Sequence, residues 1–373
     1  MKRITTTKSV VAALSLASMA VLTACGGGNS GESQPSKTST TVRVYGDSLA
    51  DSGTFGFKAT VQVAGNYIFP ERIAMQFGQT LCPYYVPSTT AADVYTPKTS
   101  CTNYAIAGGV LNKASLPNPT TNRKDIIAQL TDGSANAIGG TDLVIIDGGG
   151  NDAANLVGAF LAAQQGSTTG LINLLSTMLT PTQMGALNPA NPTTLFNAGN
   201  QYMTALADKF YDAVKANLLD KGANRVLYAN IPDITLTPRF QMVLASIGQS
   251  QGVATQQALQ AVFQGWVAAF NAEFATKAAA EARIAIVDIY SNFQDEVANP
   301  SVYALSNVKD PSCPITGQGS DGLPTYDFPS CTAAAAASDW QTRLFSDGFH
   351  PTPYGHQLAS QLISRTLAQK GWL

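Results

Sequence analysis

Histidine is the scarcest chemistry-bearing residue in this chain: its 373 residues include two, His350 and His356. Any reaction that needs a histidine base must use one of them. Charge is sparse as well, with 12% Asp, Glu, Lys and Arg and a formal net charge of -2. No basic stripe runs along the sequence, which argues against a nucleic-acid partner, and near-neutrality gives no electrostatic reason to bind a membrane surface. No C-x-x-C occurs, so neither a redox motif nor a zinc site is suggested. No metal or organic cofactor is signalled. The G-x-S-x-G elbow is missing, because Ala50 stands where its last glycine belongs. A dinucleotide reading of "GGGND" fails, since the position needing the third glycine is Ala153.

What is present is apolar material, 45% of the chain, enough for a substantial core. The N-terminus opens with Lys2, Arg3 and Lys8 and then runs apolar from Val10 to Leu22. That run is too short to span a bilayer comfortably and has the flanks of a signal peptide. It ends in Leu22-Thr23-Ala24-Cys25, which resembles the bacterial lipobox. In such signals the cysteine sulfur is lipidated and becomes the mature N-terminus. An ordinary secretory signal cleaved near Ala24 is the alternative. Gly26, rather than Asp, after the cysteine implies the outer membrane. The following "GGGNSGESQPSKTSTT" is too poor in apolar residues to order itself and reads as a flexible tether. The expected division is a lipoprotein signal peptide over 1–24, lipidated Cys25 with a linker over 25–40, and one domain over 41–373. The protein is then expected to be exported and anchored to a membrane through Cys25.

Beyond Cys25 the chain holds Cys82, Cys101, Cys313 and Cys331. An even number in an exported chain favours two disulfides. Local pairing, 82 with 101 and 313 with 331, costs least in loop closure. The bridges would either stiffen loops beside a site or simply stabilise an exported protein.

From Thr41 onward no second linker or repeat interrupts the chain. "TDLVIID" (141–147), "RVLYANIPD" (225–233) and "RIAIVDIY" (283–290) read as strands buried on both faces. Between them, 202–218 carries Met203, Leu206, Phe210, Val214 and Leu218 at helical steps, and 255–281 behaves likewise. Tyr354 to Lys370 reads as a closing helix after Pro353. Alternating strands and helices predict an α/β fold with a mainly parallel sheet, whose ligands bind beyond the carboxyl ends of the strands. The apolar segment 153–200 would suit either a lid or helices covering the sheet.

The first strand-like run, Val42 to Tyr45, leads directly into Gly46-Asp47-Ser48-Leu49. Ser48 is either part of a strand-ending turn or a nucleophile held at the functional edge. "SDGFHPTPYGH" places Asp347 three residues before His350, which is either a loop histidine with an incidental neighbour or a base whose one imidazole nitrogen the carboxylate holds while the other takes the serine proton. His356 reads as a helix residue that packs or caps locally. In "IIDGGGND", Asn151 either offers N–H donors where an oxyanion would form or caps the helix that follows, and Asp152 reads as such a cap. In "TNYAIAGGV", Gly108 is either a plain turn or a backbone donor to the same oxyanion.

These blocks, in this order, resemble the GDSL branch of the SGNH hydrolase family across essentially the whole domain. The resemblance implies a three-layer α/β/α sandwich without a cofactor. It also implies Ser48 as nucleophile, His350 as base, Asp347 as its orienting partner, and an oxyanion hole from the Ser48 and Gly108 amides with the Asn151 side chain. The expected activity is a serine esterase or lipase acting on acyl or lipid esters. A polysaccharide O-acetyl esterase, an acyltransferase, or a surface lipoprotein that only binds are the alternatives. The presence of all five residues argues against the last.

Overall fold

A computed structural model of the protein describes residues 40–188, 191–319 and 321–373. The signal segment 1–24, Cys25 and the tether up to residue 39 lie outside the described residues. The strands are β1 (Val42–Tyr45), β2 (Tyr85–Pro87), β3 (Tyr95–Pro97), β4 (Leu143–Ile146), β5 (Val226–Ala229), β6 (Ile284–Val287), β7 (Gly317–Gln318) and β8 (Pro324–Thr325). Four of them form a parallel sheet in the order β1-β4-β5-β6, and β2–β3 and β7–β8 are separate antiparallel hairpins.

The helices are α1 (Phe69–Gln76), α2 (Ile126–Ser134), α3 (Gly150–Gln164), α4 (Thr168–Ser176), α5 (Pro181–Gly185), α6 (Pro192–Asn217), α7 (Pro238–Gln251), α8 (Val253–Ala278), α9 (Ile289–Ala298) and α10 (Pro353–Gln369). Alternate side chains of a strand face opposite sides, and here both sides are covered. Val42, Val44, Leu143, Ile145 and Leu227 pack with Phe69 and Ile73 of α1 and Ile363 and Leu367 of α10. Tyr45, Val144, Ile146, Val226 and Tyr228 join Phe160 of α3, Phe210 of α6 and Phe270 and Phe274 of α8. Helices, sheet and helices therefore make the three layers of an α/β/α sandwich. A sheet without a wet face needs apolar residues at consecutive positions, which explains the continuous strand signals.

The strands are shorter than the sequence suggests because polar residues end them. Asp288 caps α9 by accepting from the Ser291 amide at 3.1 Å, so Ile289 and Tyr290 belong to a helix and not to the third predicted strand. Residues 230–233 likewise leave β5 as a loop. In segment 153–200, Leu156, Val157, Phe160, Leu171, Leu175 and Leu195 lie in the main core, so its apolar content covers the sheet. One edge feature is absent from the sequence reading: residues 102–106 lie along β1. Val44 N–H donates to the Thr102 carbonyl at 3.0 Å, Tyr104 N–H to Val44 at 2.7 Å and Ile106 N–H to Gly46 at 3.2 Å. This seam carries Gly108 to the end of β1.

Candidate active site

Tyr45 pairs with Ile146 in register, so Ser48 and the 148–151 turn leave neighbouring strand ends at the same level. After Gly46 the chain folds into a tight turn, with the Ala50 and Asp51 amides both donating to the Asp47 carbonyl, at 3.2 and 3.0 Å. Ser48 Oγ stands 2.7 Å from His350 Nε2. The Asp47 side chain points elsewhere: its Oδ1 accepts from the Leu49 amide at 3.0 Å, so it is not the carboxylate that meets the imidazole.

That carboxylate is Asp347, whose Oδ1 and Oδ2 lie 3.0 and 2.9 Å from His350 Nδ1. Asp347 Oδ1 also accepts from the Phe349 amide at 2.8 Å and the His350 amide at 2.6 Å. The same side chain thus fixes both the ring and its loop. The network assigns the proton to Nδ1 and leaves Nε2 as the acceptor of the serine hydroxyl proton. Burial disfavours the imidazolium, but the neighbouring Asp347 charge and hydrogen bonds outweigh it and raise the His350 pKa above its ordinary value. For Asp347, burial opposes ionisation, and the His350 charge and hydrogen bonds reverse it, for a net lowering.

Asn151 occupies the first turn of α3, and its Nδ2 donates to the Gly109 carbonyl at 2.9 Å and lies 3.4 Å from Asp47 Oδ2. Among the described residues, the Ser48 and Gly108 amides have no acceptor. Gly108 is exposed, with a φ of +80°. The structure therefore brings Ser48, His350, Asp347 and Asn151 into one cluster, and a side-chain bond to its neighbour Gly109 ties Gly108 to the same turn.

Four residues that hold this cluster were invisible as site residues in the sequence. Asp51 Oδ2 accepts from the Ala107 amide at 2.9 Å. Asp152 accepts from the Leu111 and Asn112 amides, both at 2.8 Å. This corrects the expected role of Asp152: the N-cap of α3 is Gly149, without a side-chain bond, and Asp152 anchors the turn after Gly108 instead. Gln129 brackets the Gly46 peptide, accepting from its N–H at 2.9 Å and donating to its carbonyl at 3.1 Å. Asp147 Oδ1 accepts from the Asp47 amide at 3.0 Å. Burial, and secondarily the Asp47 charge, push the Asp147 carboxyl well above the carboxylate range. In the sequence these are isolated polar letters with no pattern to mark them, and their partners lie 40 to 100 positions away.

His356 sits inside α10 and packs against Phe69 with ring centroids 6.2 Å apart. Its Nδ1 accepts from the Phe69 amide at 3.4 Å, capping α1. Burial, and then the charges of His350, Arg72 and Lys58, lower its pKa to about 3. It stays neutral and lies away from Ser48. Together with Asp147 it lines a cavity of about 100 Å³, walled by Leu49, Ile231, Phe293 and Phe349.

A surface groove of about 230 Å³ opens over His350 and Asn151, bordered by Arg239, Met242, Tyr326 and Phe349. From His350 a row of rings runs outward: Phe328 lies 5.4 Å from the imidazole, Phe57 6.2 Å from Phe328, and Phe55 6.5 Å from Phe57. The two disulfides, Cys82–Cys101 and Cys313–Cys331, enclose the β2–β3 and β7–β8 hairpins respectively. The Cys313 amide donates to the Ser346 carbonyl at 2.7 Å, one residue before Asp347. Among the described residues no group of His, Cys, Asp or Glu is arranged to hold a metal ion, and no helix is long and apolar enough to cross a membrane.

The model of the GDSL-like lipase/acylhydrolase family matches residues 42–363. Among 24 solved chains with detectable similarity is an extracellular lipase from Streptomyces rimosus. It is 16% identical, with 88% of this chain and 99% of that chain covered, and superposes at a TM-score of 0.39. The comparison with curated proteins gives no match.

Proposed function

We propose that this chain, which belongs to the GDSL-like lipase/acylhydrolase family and is a hydrolase acting on ester bonds, cleaves carboxylic esters through an acyl-serine intermediate on Ser48. The observation that carries the proposal is the continuous line Ser48 Oγ–His350 Nε2 at 2.7 Å and His350 Nδ1–Asp347 at 2.9 Å. In the first half-reaction His350 takes the hydroxyl proton as Oγ adds to the carbonyl carbon. The tetrahedral oxyanion is held by the Ser48 and Gly108 amides and the Asn151 side chain. As the C–O bond to the alcohol breaks, His350 returns the proton to the leaving oxygen. Water then repeats the sequence on the acyl-enzyme, with His350 again as base. Asp347 orients the ring throughout and stabilises the imidazolium.

Acyl or lipid esters are the preferred substrates, and the aromatic row from His350 to Phe55 supplies apolar surface for a chain. Two disulfides suit an oxidising compartment outside the cytoplasm. The lipobox-like Leu22–Cys25 supports lipid anchoring through Cys25, with the domain held off the membrane by the tether. Purified protein lacking the tether should hydrolyse p-nitrophenyl esters of graded chain length, longer chains faster than acetyl. Ser48→Ala and His350→Ala should each lower kcat/KM by on the order of 10⁴ or more, and Asn151→Ala by about 10²–10³. Equal rates in wild type and Ser48→Ala would refute the mechanism. A preference for acetyl would transfer the substrate assignment to deacetylation.

A further inference from the structure

We propose that Arg239 forms an anion subsite in the groove over His350, so that the favoured esters carry a carboxylate or phosphate on their alcohol portion. The inference rests on the ester-hydrolase mechanism above and adds a substrate class to it. Arg239 is fixed to the His350 loop through its backbone: its amide donates to the Gly348 carbonyl at 2.8 Å. Its β-carbon lies against Gly348, where an added side chain would meet it at 3.3 Å. The stem is therefore positioned by the same Asp347–His350 turn that holds the imidazole. Besides Asp347 and His350, which hold each other, the groove is lined by Asn151, Met242, Tyr326, Phe349 and other uncharged residues. Arg239 is the lasting cation among them.

The guanidinium is not locked away. It pairs with Asp321, and the two side chains are 46% and 45% exposed. An ion pair this open to water is weak, and an oxyanion that matches the guanidinium fork can replace it. Asp321 sits in the turn of the β7–β8 hairpin, which is joined by two residue pairs, Gly317 with Thr325 and Gln318 with Pro324. Asp321 thus acts as a stand-in anion, held where a substrate anion would dock. His350, which delivers its proton to the leaving oxygen in the mechanism above, lines the groove with Arg239. That geometry assigns the anion to the alcohol portion and not to the acyl chain.

Two matched pairs of butyryl esters test this. One is 4-butyryloxybenzoate against its methyl ester, and the other is 1-butyrylglycerol 3-phosphate against 1-butyrylglycerol. The readout is the anionic-to-neutral ratio of kcat/KM. Arg239→Gln should lower that ratio about fivefold or more in at least one pair, and Asp321→Asn, which removes the competing carboxylate, should raise it. The pair that responds identifies carboxylate or phosphate as the preferred anion. Ratios unmoved by both substitutions would overturn the subsite. If Arg239→Gln does not fold, as judged by circular dichroism, the Asp321→Asn ratio decides alone. Loss of Ser48-dependent hydrolysis of the neutral esters in the wild type would remove the underlying mechanism and the subsite with it. Neutral hydrolysis with flat ratios would remove the subsite only.

Discussion

At Gly46 the backbone adopts a φ of +152°, and a β-carbon there would stand 1.5 Å from Asp147 Oδ1. Any other residue would displace the carboxyl that accepts the Asp47 amide. Gly109 is confined in the same way, since its β-carbon would meet the Gly46 carbonyl oxygen at 2.8 Å. The two glycines let the serine turn and the 107–112 turn interlock, and the side-chain carboxyl groups of Asp51, Asp147 and Asp152 fasten them. This fastening positions Ser48, while in the proposed mechanism the reactivity of the site depends on His350. Because Asp347 raises the His350 pKa, and only neutral imidazole can act as base, kcat/KM should fall as pH drops, with a midpoint above that of a free histidine. Asp347→Asn removes the charge that stabilises imidazolium and leaves the burial that opposes it. The midpoint should therefore move down in pH while the plateau rate falls by on the order of 10⁴. A pH–rate profile checks both; a wild-type midpoint below that of free histidine would contradict the assignment of His350. The pairing of Asp347 with His350 was legible in the sequence because histidine is so scarce that Asp347-x-x-His350 had little competition. Gln129 and Asp152 were not, since a glutamine and an aspartate gain these roles only through contacts made by the folded chain.

Each disulfide-closed hairpin sends an aspartate toward the rim of the site. In the β2–β3 segment Asp93 lies 3.6 Å from Lys124, whose stem passes 3.8 Å from where a Gly108 β-carbon would be. In the β7–β8 segment Asp321 pairs with Arg239. The hydrogen bond from Cys313 to Ser346 couples the second bridge to the Asp347–His350 loop without an intervening element. Mild reduction should accordingly lower esterase activity before far-ultraviolet circular dichroism shows loss of helix. Simultaneous loss of both would assign the bridges to general stability. The hairpins themselves escaped the sequence reading because they are two- and three-residue ladders with no periodicity to detect. The long helices did not, since α6 and α8 bury Leu206, Phe210, Phe263 and Phe270 at regular helical steps. Strand ends were overrun wherever an aspartate that caps or turns follows an apolar run, as at Asp288.

For the whole molecule, the parallel sheet could be read from its apolar runs because both its faces are buried, and parallel order placed the chemistry at the carboxyl ends of β1 and β4. The strand order β1-β4-β5-β6 and the seam along β1 could not be read, because pairing is fixed by contacts between segments about 60 to 100 residues apart. On this framework Ser48 is the proposed nucleophile. Peptide mapping by mass spectrometry after treatment with a p-nitrophenyl alkylphosphonate ester tests it most directly. One adduct per chain is expected, on Ser48, and none in His350→Ala. An adduct on another residue, or an unmodified Ser48 in protein that hydrolyses esters, would contradict it.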